Sequence, residues 1–369
     1  MNRSVLLIIV ILVLNSCLST PSKCDLTGTI IEINPQQKDI PHYDSLVRSI
    51  EYIPLEAANQ SLITEIVEIV FTNNKIYIND NRERVLCFDL NGKYLYQLGR
   101  KGRGPGEYSD CFSISESEGV LYVYDNGRST LHLYDSNTGG YVKSIRLKQP
   151  FVQAVILDDY IYGLDIVNGV SLYSIPLDKT DAQPRQLYTS AQKEFTLSRF
   201  RQIFKSEKCV WVDPLRGSVY ELANGDMTLL FDLEFGNDET SQSQLLDGKA
   251  PMRNQVSHIS DCYIAGEWCY ISFAFDGDIH FALCDLRSGE VMNVAMINYL
   301  QKTQHNRQQW QHFPNIVACD GVAFYSVASN LAVNSDYDSL PAKYKTYARL
   351  ANVNWEDANP SIVRIGFGK

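Results

Sequence analysis

The chain has 369 residues, 45% hydrophobic and 21% charged, a globular composition with ample length for a large core. With 43 acidic against 33 basic side chains the formal charge is -10, which argues against a nucleic-acid surface or a general anionic-membrane surface and leaves room only for a local basic patch. Tyr alone supplies 22 residues, a bias toward strands over helices.

The first residues read as a targeting segment. Arg3 is followed by an unbroken apolar run from Val5 to Leu14, too short to span a bilayer comfortably. Next comes Leu14-Asn15-Ser16-Cys17, with an apolar residue three before a cysteine and a small one directly before it. This resembles the bacterial lipobox, with Asn15 the loosest fit. The resemblance implies cleavage before Cys17 and lipidation of Cys17; the plain alternative is an ordinary signal peptide. Several acyl chains on one cysteine anchor a protein stably, at about 0.8 kcal/mol per buried CH₂. Leu18 to Lys23 is polar and contains a proline, as a flexible tether does. No acidic run follows Cys17, which favours the periplasmic side of the outer membrane over the cell surface.

Beyond this segment the two-residue period of strands dominates. Ile76-Tyr77-Ile78 ends in Asp80, and the form returns as Leu121-Tyr122-Val123 with Asp125, Ile161-Tyr162-Gly163 with Asp165 and Val210-Trp211-Val212 with Asp213. Cys269-Tyr270-Ile271 and Ala323-Phe324-Tyr325 are looser copies. The central aromatics are spaced between 40 and 59 residues apart, a period that fits the four-stranded blades of a propeller. Hairpin signals follow most copies: Asn91-Gly92, Gly139-Gly140, Asn224-Gly225 and Ser288-Gly289, each between apolar segments. Six units predict a six-bladed all-β propeller. The stretch Ser49 to Leu55 is expected to close the ring by pairing beside Ser361 to Ile365. Residues 237–260, 298–314 and Tyr344 to Trp355 break the pattern and read as insertions on the loop faces.

The densest motif is Gly99-Arg100-Lys101-Gly102-Arg103-Gly104-Pro105-Gly106-Glu107-Tyr108. It lacks the Lys-Ser/Thr pair and the following helix of a P-loop. It reads as the crossover from the first blade to the second, with glycines where the backbone must turn sharply. Arg100, Lys101 and Arg103 against Glu107 leave a local positive surplus. They serve either as an anion or sugar-acid contact or as partners for carboxylates of neighbouring blades such as Asp80 and Asp125. The repeat acids Asp80, Asp125, Asp165 and Asp213 are likewise either a cation-binding ring or turn caps.

Phe88 to Lys93, the glycine-rich window and Leu121 to Asp125 resemble the NHL-repeat type of propeller. With the lipobox, Tyr52-Ile53-Pro54-Leu55-Glu56 and Asn359-Pro360, the chain looks like the six-bladed β-propeller lipoproteins of Gram-negative gut anaerobes. That resemblance spans residues 45–369 and implies fold and anchor, leaving function open. The expected organisation is a signal peptide at 1–16, a lipidated cysteine and tether at 17–44, and the propeller at 45–369.

Chemical signatures are sparse. There is no G-x-S-x-G elbow, no H-E-x-x-H and no metal-helix spacing among the six histidines. Beyond Cys17, the cysteines Cys24, Cys87, Cys111, Cys209, Cys262, Cys269, Cys284 and Cys319 match no disulfide framework or metal site, although an exported compartment permits disulfides. Trp310, with His305, Arg307 and His312, lies in an insertion and lines a pocket or packs there. The expectation is a propeller with no catalytic residue, no metal and no cofactor. It binds a glycan or peptide through Arg100, Lys101, Arg103 and Trp310, meets the membrane only through the anchor and binds no nucleic acid. The alternatives are a propeller hydrolase or lyase acting on a polysaccharide or small ester, and a scaffold docking an envelope protein partner.

Overall fold

The computed structural model describes residues 28–37, 46–81, 84–167, 169–190, 201–213, 216–236, 256–276, 278–295, 316–328 and 359–368. These residues form six blade sheets, antiparallel throughout except for one parallel edge strand in blade 4, and a short parallel pair of Arg100–Lys101 with Glu107–Tyr108. Blade 1 is built from Ile66–Phe71, Lys75–Asp80, Arg84–Asp89 and Tyr94–Leu98. Blade 2 uses Cys111–Ser117, Val120–Asp125, Thr130–Asp135 and Tyr141–Arg146, and blade 3 uses Gln153–Leu157, Tyr160–Asp165, Ser171–Pro176 and Arg185–Thr189. Blade 4 comprises Ile203–Lys205, Cys209–Val212, Ser218–Ala223 and Asp226–Glu234, and blade 5 comprises Val256–Ala265, Trp268–Phe275, Asp278–Asp285 and Val291–Ala295. Blade 6 takes Ile316–Cys319, Phe324–Ala328 and Ser361–Phe367 from the C-terminal part of the chain and Val47–Pro54 from the N-terminal part. The fold is a six-bladed β-propeller.

Each repeat aromatic lies on the second strand of its blade, where both faces are covered. Tyr77, Tyr162, Trp211 and Tyr270 are fully buried, and Tyr122 and Phe324 nearly so. Truncating such a side chain to Ala costs about 3–5 kcal/mol. The core is continuous around the ring. Separate clusters join blade 1 to 2, 2 to 3 and 3 to 4, and one cluster runs through blades 4, 5 and 6. A last cluster packs Ile53 and Ile362 of blade 6 against Ile69, Ile76 and Phe88 of blade 1. The expected closure is present: Val47–Pro54 pairs antiparallel with Ser361–Phe367, placing Ile53 opposite Ile362. Gly92, at φ +82°, turns the first hairpin so close to Pro54 that a Cβ there would meet its carbonyl oxygen at 2.1 Å.

The innermost strands depart from the apolar pattern, and polar side chains on them and on adjoining segments stitch neighbouring blades together. Asn79 of blade 1 donates to the Cys111 carbonyl of blade 2 at 3.1 Å, and Ser113 of blade 2 donates to Ala154 of blade 3 at 2.8 Å. The Gln153 side chain of blade 3 donates to the Ile203 carbonyl at 2.9 Å and accepts from the Gln202 and Ile203 amides at 3.1 Å. Gln202, leading into blade 4, donates to Ile259 of blade 5 at 3.4 Å, and Tyr263 of blade 5 donates to Val317 of blade 6 at 2.9 Å. Asn359, leading into the third strand of blade 6, closes the circuit. It donates to the Glu56 and Ser61 carbonyls at 2.8 and 2.7 Å and accepts from the Ile63 amide at 2.8 Å. Every blade interface thus carries at least one side chain bonded to the neighbour's backbone. Each such bond contributes about 1 kcal/mol net, and leaving its buried partner unpaired costs more.

Two expectations need correction. Thr29–Glu32, placed in the tether, instead pairs parallel with Asp226–Glu234 as a fifth strand of blade 4. The last residues of the stretch 237–260 are strand, because Val256–Ala265 is the inner strand of blade 5. The signal segment, Cys17, Cys24 and the remainder of the proposed insertions, with Trp310, His305 and His312, lie outside the described residues.

Candidate functional site

In an antiparallel four-stranded blade, the connection from each outer strand to the next inner strand opens on the same face as the turn between the second and third strands. Gly99 to Tyr108 is such a crossover, from blade 1 to blade 2, as expected. Its shape is set by Glu107, whose carboxylate folds back into the loop. Oε2 accepts the Gly104 amide at 2.7 Å and Oε1 accepts Arg100 Nε at 2.6 Å. The Gly104 N–H, and then Arg100, hold this carboxyl below the usual carboxylate range. A Cβ at Gly102 would lie 2.1 Å from Glu107 Oε2, so the loop needs glycine there to admit the carboxylate. Arg128, from the turn of blade 2, donates to the Gly102 and Glu107 carbonyls. The buried Tyr108 ties the loop to blade 1, donating to Leu98 at 2.9 Å and accepting from the Val85 amide at 3.1 Å.

This rigid frame presents Arg100, Lys101 and Arg103 to solvent. Arg100 is 77% exposed and finds its partner inside the loop. Pairing of the loop cations with Asp80 or Asp125 is not what holds it. Asp80 is bound to Arg84 and accepts the Thr64 and Glu65 amides at 3.1 and 3.3 Å. Asp125 accepts the Ser109 amide and hydroxyl, each at 2.7 Å, and lies 3.7 Å from Arg128 and from His132. Asp165 caps its own turn through the Val167 amide at 2.9 Å, and Asp213 accepts the Tyr188 hydroxyl at 2.7 Å. The repeat acids pin chain segments around each blade.

All six inner strands surround the central channel, and residues of each line a cavity of about 40 Å³ between them. Arg201 and Glu68 meet across it at 3.1 Å, and Glu68 also accepts the Ile114 amide at 2.8 Å. Burial raises the Glu68 carboxyl, while Arg201 and the Ile114 N–H pull it back. On the opposite wall burial pushes Asp261 up to about 6, against a 2.6 Å hydrogen bond from Ser272 and the charge of Arg201. Toward the other face Lys205 donates to the Glu116 carbonyl. Sequence reasoning missed this cluster. Its members are far apart in the chain, Glu68 and Arg201 by 133 residues, and no local motif links them. Among the described residues no group of three or more His, Cys, Asp or Glu side chains is placed to hold a metal ion.

Residues 29–365 match a family described as a domain of unknown function, DUF4934. The chain belongs to the DUF4934 family. No curated protein matches it by sequence. Among solved structures it is similar to an exported protein of Bacteroides fragilis, with a TM-score of 0.74 and 14% identity over 92% of this chain and 100% of that one. BamB from Moraxella catarrhalis matches more loosely, with a TM-score of 0.40 and 11% identity over 66% of each chain. The first likeness shows the fold alone, and the second carries no further weight.

In this DUF4934 propeller the thiols of Cys87, Cys111, Cys209, Cys262, Cys269, Cys284 and Cys319 are free and buried. Cys262 and Cys269 approach to 3.9 Å between sulfurs. Burial pushes the Cys209 and Cys319 thiols up to about 12, so they are inert as nucleophiles. His132 bonds Ser144 at 2.8 Å, and His280 packs between Phe273 and Phe275. Burial lowers both histidines.

Proposed function

We propose that this DUF4934 chain is an exported, lipid-anchored propeller of the cell envelope that binds a glycan or peptide and performs no chemistry on it. The observation that favours the outer surface is the channel: Arg201 and Glu68 pair across it, and the cavity between the inner strands has a volume of about 40 Å³. This reading places the ligand outside the channel. The crossover face offers Arg100, Lys101 and Arg103 on a loop whose shape is fixed by its own hydrogen bonds, which lowers the ordering cost of binding. Trp310 is the aromatic contact of this reading. Export is supported by the similar Bacteroides fragilis protein and the apolar leader, and anchoring by Leu14-Asn15-Ser16-Cys17, with the periplasmic side of the outer membrane as its place.

The test is an array of glycans and peptides probed with wild type and with Arg100→Glu/Arg103→Glu, alongside a screen for turnover. Binding lost in the double variant supports the reading; turnover of an arrayed compound sinks it. Palmitate labelling that persists in Cys17→Ala would rule out the anchor.

A further inference from the structure

Two stretches of the sequence hold cations and no acid. Residues 94–106 carry Arg100, Lys101 and Arg103, and residues 136–156 carry Lys143, Arg146 and Lys148. The fold lays them side by side. The first supplies the outer strand of blade 1 and the crossover; the second supplies the outer strand of blade 2 and the start of the next crossover. A Cβ on Gly106 would lie 2.9 Å from the Tyr141 ring, and one on Gly139 would lie 2.4 Å from Tyr96. Tyr134 donates to the Gly106 carbonyl at 2.8 Å across the same seam. Pairing of Arg146 with Thr130 sets it at the crossover-face end of blade 2, beside Arg128, which holds the Gly102 carbonyl. Lys143, Arg146 and Lys148 are all exposed. Tyr141 at 40% exposure and Val142 at 54% lie on the same outer strand as Lys143 and Arg146.

We propose that this rim of blades 1 and 2 binds an acidic polysaccharide. Its carboxylate or sulfate groups pair with exposed cations of the rim, Arg103, Arg146 and Lys148 foremost, and a ring face stacks on Tyr141. The inference rests on the binding reading above and names its ligand class. A polymer strand can follow the rim while avoiding the rest of the protein. A flat anionic membrane brings the whole chain, at -10, against like charge. Arg suits bidentate pairing with carboxylate and sulfate, and the exposed ring adds a stacking surface that a pure charge patch lacks.

The experiment uses full-length protein in detergent micelles. Probes are polygalacturonate, heparin, neutral dextran and vesicles of phosphatidylglycerol in phosphatidylcholine. Wild type is expected to bind polygalacturonate or heparin and not dextran, with affinity falling steeply as salt rises. Lys143→Glu/Arg146→Glu/Lys148→Glu should weaken binding at least tenfold with no change in melting temperature. If that variant misfolds, the Gln triple should still weaken binding several-fold. Retained affinity in a folded variant overturns the proposal and leaves these side chains with the edge-blocking role of cations on an outer strand. Tighter binding to the vesicles than to either polyanion makes the partner a membrane and also overturns it. A wild type that binds a neutral glycan or a peptide but neither polyanion sinks this inference and spares the binding reading. A wild type that binds nothing sinks both.

Discussion

The inner ring and the rim of blades 1 and 2 both hold charged and polar groups, and they use them in opposite ways. Around the channel Arg201 is matched to Glu68, Lys205 to the Glu116 carbonyl, and Gln153 to the backbone of blade 4. On the rim Arg100, Lys101, Arg103, Lys143, Arg146 and Lys148 face water. The difference is solvent. Arg201 and Glu68 are 15% and 14% exposed, where an unpaired charge costs several kcal/mol, so the fold satisfies it internally. At the rim water solvates the charge at little cost, and exposed groups such as Arg103 and Arg146 can meet a partner without a large desolvation penalty.

Four substitutions sharpen this contrast. Gln153→Ala removes three buried hydrogen bonds between blades 3 and 4 and should cost about 3–4 kcal/mol, read as a lower urea midpoint. Arg201→Ala strands Glu68 in the channel and should cost about 3 kcal/mol, with ligand binding unchanged in the folded fraction. Asp261→Asn tests the pH dependence. The folded carboxyl titrates at about 6 and the unfolded one in the ordinary Asp range, so between the two the native state keeps a proton that the unfolded state has lost. Stability therefore falls as pH rises through that window and stays lower above it. Asn cannot ionise, so Asp261→Asn should lose this slope and be about 1 kcal/mol more stable than wild type above pH 6, by urea titration at pH 4.5 and 7.5. Arg146→Glu should change stability by no more than about 0.5 kcal/mol and act on binding alone.

What the sequence made legible follows the same division. Lys75–Asp80 is buried at every position, so its apolar run and terminal acid stand out, and its counterparts around the ring made the six-blade period visible. Gln153–Leu157 and Cys111–Ser117 carry Gln and Ser because they bond adjacent blades, which dilutes the strand alternation and hid them. The fifth strand of blade 4 escaped notice because Thr29–Glu32 pairs with residues some two hundred positions away. In the glycine-rich loop the cations were plain to see, but not that Glu107 folds inward to hold Gly104 and Arg100. The cationic rim emerged only when the fold joined two acid-free stretches that the sequence keeps apart.

The most direct test sets one residue of each region against the other, with melting temperature and polygalacturonate affinity measured on wild type, Arg201→Ala and Arg103→Glu. A lowered melting temperature with intact affinity is expected for Arg201→Ala, and an intact melting temperature with weakened affinity for Arg103→Glu. Lost affinity in folded Arg201→Ala together with unchanged affinity in Arg103→Glu would place the binding site in the channel and contradict the account.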